Sequence, residues 1–220
     1  MTDLLDDDPS LPSLHERDYI VRAYASAADE ILVRGVIKDV KPPGLLVVGD
    51  PAPLTMHHMQ VDLRVHYPSL EITAAEVVFE VHPQAGCPTI TEHYRSLVGL
   101  SIARGFTHRV RELFGGPRGC SHTTALLQAM APVAVQSWFG MARLAGGDED
   151  AGQDAGQDPL STIRSAHRAR NLNTCHIWAE DSELTNLAAR GEPVPLPIPV
   201  LRRYAELDRT PPTSLLDPES

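Results

Sequence analysis

The residues best suited to chemistry are cysteines and histidines standing beside turns. Cys87 and Cys120 each follow a glycine, in QAGCP and GGPRGCSHTT, and each precedes a segment expected to be helical. A thiol at a helix start faces amide donors without partners and the positive end of the helix dipole. Both favour the thiolate, the form that binds metals or attacks electrophiles. His57 stands in LTMHHMQV just ahead of an expected strand, where one imidazole could meet two sulfurs.

That set, His57, Cys87 and Cys120, is a three-ligand site for zinc or iron with a position left for water or a substrate oxygen. His122, two residues beyond Cys120, serves as the fourth ligand or as the acid/base beside the ion. In NTCHIW, adjacent side chains of an extended segment face opposite ways, so only one of Cys175 and His176 can join a shared site. His176 is the expected contributor.

The function this predicts is a metal-binding protein acting as a metal-dependent enzyme on a small hydrophobic or aromatic substrate. Two alternatives use the same residues. One is a carrier of metal or of an iron-sulfur cluster without chemistry of its own. The other is a metal-free enzyme with Cys120 as nucleophile and His122 or His176 as base. Simple packing of the thiols, with the acidic insert recruiting partners, would leave a non-catalytic interaction domain.

These residues need elements to position them. Glu30–Val40 (EILVRGVIKDV) reads as a strand. The runs 59–67 and 70–82 alternate in polarity around Pro68 and Ser69, as an antiparallel hairpin with one covered face does. Phe106, Val110, Leu113 and Phe114 fall at helical spacing before the Gly115-Gly116-Pro117 break. A second helix, 123–144, is apolar on most sides and must be largely buried, with Ser121 or Thr123 as its cap. STIRSAHRARNL is a short helical candidate, and the proline-rich VPLPIPV is an extended segment leading into the helix VLRRYAEL. Strands first and helices after give an α+β fold: an antiparallel sheet packed against C-terminal helices.

The expected organisation is a disordered acidic leader over 1–18, an α+β core over 19–145, and a disordered acidic insert over 146–160. The core then resumes over 161–209 and ends in a loose tail over 210–220. The insert reads GGDEDAGQDAGQDPL, a low-complexity stretch. A formal charge of -10, from 29 acidic and 19 basic residues, argues against nucleic acid as a partner, because that affinity comes from cations neutralising phosphate. No apolar run is long enough to span a membrane, and the start MTDLLDDDP lacks a basic secretory region. The expected location is therefore the cytoplasm, where the three cysteines stay reduced.

Several stretches together resemble a family. They are RAY, a strand ending VIKDVK, the HxM of His57 to Met59, GCP followed by LVGLSI, GxxGCSHTTALL, Gln136, and CHIWAED. The pattern, over about residues 20–190, is similar to the bacterial family designated domain of unknown function 2889, which implies no activity. More distantly, a hairpin with cysteines at two later helix starts resembles iron-sulfur scaffold proteins of the NifU type. That likeness implies zinc or a nascent cluster at His57, Cys87 and Cys120. The scaffold proteins have cysteine where His57 stands, histidine at Gly119, and aspartate at Met59.

Overall fold

The computed structural model describes residues 5, 8, 10–146 and 171–212. Residues 1–4, 6, 7 and 9 of the expected leader, residues 147–160 of the insert, nearly all of the helical candidate STIRSAHRARNL and the tail from 213 lie outside the described residues. The chain forms two compact units, Met1–Ala145 and Gly146–Ser220.

The first unit is built on a four-stranded antiparallel meander in the order β1-β2-β3-β4: β1 (Glu16–Ala27), β2 (Glu30–Lys41), β3 (Leu54–His66) and β4 (Ile72–Val81). The alternation read in the sequence sets its faces. Ile31, Val33, Ile37, Met59, Val61, Leu63 and Val65 are buried, while Arg34 and Arg64 between them are exposed. With helices after the strands, the fold is α+β as expected.

β1 has no counterpart among the expected strands, and its first residues, Glu16–Asp18, fall in the expected leader. The reason is its exposure. An edge strand with only Val21 and Ala23 half-buried carries no strong apolar alternation to read. Its pairing with β2 runs from Glu16↔Val40 to Ala27↔Glu30 and identifies it as a full strand.

After β4, a 3-10 segment, Cys87–Leu97, packs along that strand, burying Tyr94 and Leu97. α1 (Phe106–Phe114) follows, and then α2 (Ser121–Gly146). Gly35 is where α2 meets the sheet. A Cβ there would lie 2.7 Å from Met130 Sδ and 3.1 Å from Leu126 Cδ1, so only glycine lets helix and strand approach so closely. Further along α2, Trp138 Nε1 donates to the Pro68 carbonyl at 3.2 Å, tying the helix to the β3–β4 turn. The apolar surface of α2 is therefore core: Leu126, Leu127, Met130, Ala134 and Trp138 are all buried.

The second unit contains a 3-10 turn, His176–Trp178, α3 (Glu183–Ala189) and α4 (Ile198–Glu206). Ser182 caps α3 by accepting from the Thr185 amide at 3.2 Å. NTCHIW leads into a turn of 3-10 helix, and VPLPIPV runs into α4, whose first turn accommodates Pro199.

Candidate functional site

Inward-facing positions of β2 read Ile31, Val33, Gly35, Ile37, Asp39. Four are apolar or small and the fifth is a carboxylate, buried like the others with 1% of its surface exposed. A buried charge persists only when paired and hydrogen-bonded. The register supplies the partners. Arg17 of β1 and His57 of β3 lie directly across from Asp39 on either side, and α2 begins above them with His122 in its first turn.

Arg17 grips the carboxylate with two parallel bonds, Nε to Oδ1 at 2.6 Å and a terminal nitrogen to Oδ2 at 2.7 Å. His122 Nε2–H donates to Oδ2 at 2.8 Å. His57 Nδ1 stands 3.2 Å from the same Oδ2, yet it is a buried nitrogen without a hydrogen bond. The two imidazoles stack, ring centres 3.8 Å apart and planes inclined by 27°. His15 approaches Oδ1 at 3.6 Å. One anion thus sits among an arginine and three histidines.

The electrostatics follow from this crowding. Burial pushes the Asp39 carboxyl upward, but the hydrogen bonds from Arg17 and His122 outweigh it and hold the group well below the usual carboxylate range. Arg17 is raised correspondingly by its bonds to Asp39. Burial lowers His57, and the neighbouring His122 lowers it further, so His57 favours the neutral imidazole. A neutral imidazole with a free nitrogen is the ligand form of histidine.

Cys120 is held at the same helix start. Its amide donates to the hydroxyl of buried Tyr94 at 2.8 Å, and that hydroxyl donates back to the Cys120 carbonyl at 3.4 Å. Burial raises the Tyr94 phenol and keeps it protonated. Gly119 leaves room for the turn, since a Cβ there would lie 2.6 Å from the Phe114 carbonyl oxygen. Cys120 Sγ lies 3.8 Å from His122 Nδ1, so His122 bridges the thiol and the carboxylate.

Ligand atoms of Asp39, His57 and His122 all lie within 4.8 Å of one another, and no other such group of three occurs among the described residues. Of the residues expected from sequence, His57 and His122 are brought together, with Cys120 against His122. Cys87 heads the 3-10 segment, half-buried with a free thiol, and is not in the group. His176 is exposed in the second unit, at the start of its 3-10 turn. The sequence reading missed Asp39, Arg17 and Tyr94. The signal for Asp39 was legible: an acid in the inward register of ILVRGVIKDV.

No helix among the described residues is long and apolar enough to cross a membrane. Comparison with the curated proteins and with the solved structures finds no match, so the scaffold-protein likeness has no counterpart there. Residues 15–136 match the family described as protein of unknown function (DUF2889). That span is more than half of the chain and contains every residue of the cluster from His15 to His122, so the chain belongs to this family.

Proposed function

We propose that Asp39, His57 and His122 hold a divalent transition-metal ion, zinc or iron, and that the protein is a metal-dependent enzyme. The observation that carries this reading is His57 Nδ1, a buried nitrogen with no hydrogen bond, aimed at the oxygen that His122 Nε2 also faces. Native interiors rarely leave such an atom unsatisfied, and an ion would satisfy it. The ligand atoms stand 2.8 and 3.2 Å from the shared oxygen. Tetrahedral zinc at its usual bond lengths spaces ligand atoms by roughly 3.3 Å, within about 0.5 Å of these two separations, and the third, between the two imidazole nitrogens, lies within 4.8 Å.

Arg17 does not exhaust the carboxylate. A carboxylate offers about four lone-pair sites, and Arg17 takes two of them; on binding an ion His122 Nε2 would give up its proton and its bond to Oδ2, which frees that oxygen to ligate. Arg17 would then orient a ligating Asp39, and the Cys120 sulfur would face the second nitrogen of His122 from outside the ligand shell. Two histidines and a carboxylate leave coordination positions open, the arrangement used for Lewis-acid activation of water by zinc and for dioxygen chemistry by iron. Tyr19, 43% exposed and beside Arg17 on the same face, offers a ring against which a small aromatic or apolar substrate could lie.

The test is metal content and affinity. Protein purified without oxygen should contain close to one zinc or iron per chain, and chelator competition should give tight binding. Both should be lost in His57→Ala and kept in Cys87→Ser. Metal binding that ignores His57, or none for any first-row ion, would sink the proposal.

A second reading is favoured by a different observation: Cys120 Sγ, His122 Nδ1 and Nε2, and Asp39 Oδ2 form a continuous relay at 3.8 and 2.8 Å. With Nε2–H donating to Asp39, His122 Nδ1 is the acceptor for the thiol proton, as a cysteine nucleophile at a helix start requires. Selective alkylation of Cys120 in metal-free protein, abolished in His122→Ala, would support that reading over the metal.

A further inference from the structure

The two edges of the sheet are unlike. At the start of β4, the chain closes its own edge: the Ile72 amide donates to Leu100, the Gly99 amide to Ile72, and Glu71 bridges Ser101. β1 has nothing comparable. Among the described residues its backbone pairs with β2 alone, over 12 residues without a proline. Tyr19, Ile20 and Tyr24 are exposed along it at 43%, 38% and 44%. The pairing with β2 is regular from Glu16 to Ala25 and shifts only between Ala25 and Ala27, and a long edge carrying apolar side chains is a template for another strand.

The side chains of β1 select which strand. A two-fold axis normal to the sheet pairs β1 with itself antiparallel and keeps the faces together, so odd residues meet odd and even meet even. Centring on Asp18 would set carboxylate against carboxylate, and centring on Arg22 would set guanidinium against guanidinium. Centring on Tyr19 pairs Glu16 with Arg22 but sets the Asp18 carboxylate against Ile20, whereas centring on Ile20 sets Asp18 opposite Arg22 twice, with Ile20 against Ile20 between them. Neither Asp18 nor Arg22 enters an ion pair within the chain among the described residues. On the other face the same register sets Tyr19 opposite Val21 and Arg17 opposite Ala23.

We propose that β1 is a homodimer edge, in which two copies of the chain pair antiparallel about Ile20 with Asp18 of each opposite Arg22 of the other. The result is a continuous eight-stranded sheet. Because the axis is normal to the sheet, both Asp39–His57–His122 clusters lie on one face. The proposal is independent of what those clusters bind.

Sedimentation velocity on the full chain tests it. The wild type should be a dimer at micromolar concentration. Asp18→Arg and Arg22→Asp should each weaken association by about tenfold or more, because two opposite-charge pairs become like-charge pairs. Combining the two substitutions should restore the dimer, which also controls for folding. Ile20→Cys should give an interchain disulfide on mild oxidation well above the wild-type background, and Tyr24→Cys should not. A monomeric wild type, or a dimer indifferent to the charge exchange, would overturn the proposal, and a monomer that captures extended peptides would assign the edge to a different partner.

Discussion

Asp39→Asn separates what the carboxylate does for folding from what it does for a ligand. Asp39 accepts two bonds from Arg17 and one from His122, at 2.6, 2.7 and 2.8 Å. A hydrogen bond to a charged group contributes about 1.5–3 kcal/mol net. Asparagine keeps one acceptor but presents an amide where an oxygen stood, losing at least one charge-assisted bond. Arg17, with 36% of its side chain exposed, regains hydration when the bond breaks, which holds the cost toward the lower end. The expected loss in metal-free protein is about 1.5–2 kcal/mol. For a unit of Met1–Ala145 at about 3 °C per kcal/mol, that is roughly 5–6 °C in Tm. Zinc at a hundredfold excess over its Kd should stabilise the wild type by about 2.7 kcal/mol, roughly 8 °C. Asp39→Asn should show the first loss and none of the zinc increment. His57→Ala leaves the Arg17–Asp39 pair intact, so it should lose about 1 kcal/mol or less without metal and still lack the increment. Calorimetry with and without zinc reads all five quantities. A zinc increment of equal size in the wild type and both variants would refute the reasoning.

Other outcomes follow from the same contacts. Gly35→Ala should cost about 1–3 kcal/mol in chemical denaturation, because the new methyl meets Met130 and Leu126 where α2 crosses β2. Tyr94→Phe should lower stability by about 1–2 kcal/mol by stranding the Cys120 amide, and should change the alkylation rate of Cys120 while leaving that of exposed Cys175 unchanged. Metal-free protein should lose stability on acidification in two stages. His57 is depressed in the fold, so its contribution is complete above roughly pH 6.5, where an unfolded histidine titrates, and declines below it. Asp39 is also depressed, so its contribution is complete above about pH 4 and declines below. Denaturation midpoints across pH should show the upper stage missing in His57→Ala and the lower one missing in Asp39→Asn.

Local pattern was enough to read β2, the β3–β4 hairpin, α1 and α2, because each buries one face and its apolar period records which one. The sequence also marked Cys120 and His122 at a helix start, and it set His57 just ahead of a strand that begins at Leu54 and contains it. β1 escaped for the opposite reason: exposed at all but Val21 and Ala23, it has no period to read, and only its hydrogen bonds to β2 identify it. Arg17 escaped with it. The partnership around Asp39 depends on strand register and on the height at which α2 crosses the sheet. Residues 17, 39, 57 and 122 are distant in sequence, and a one-residue slip of either pairing would turn a partner to the other face. Chain composition therefore supplied the ligand types and the elements that carry them. Tertiary structure decided which ligands meet, placing a buried carboxylate at the centre and leaving Cys87 outside the group.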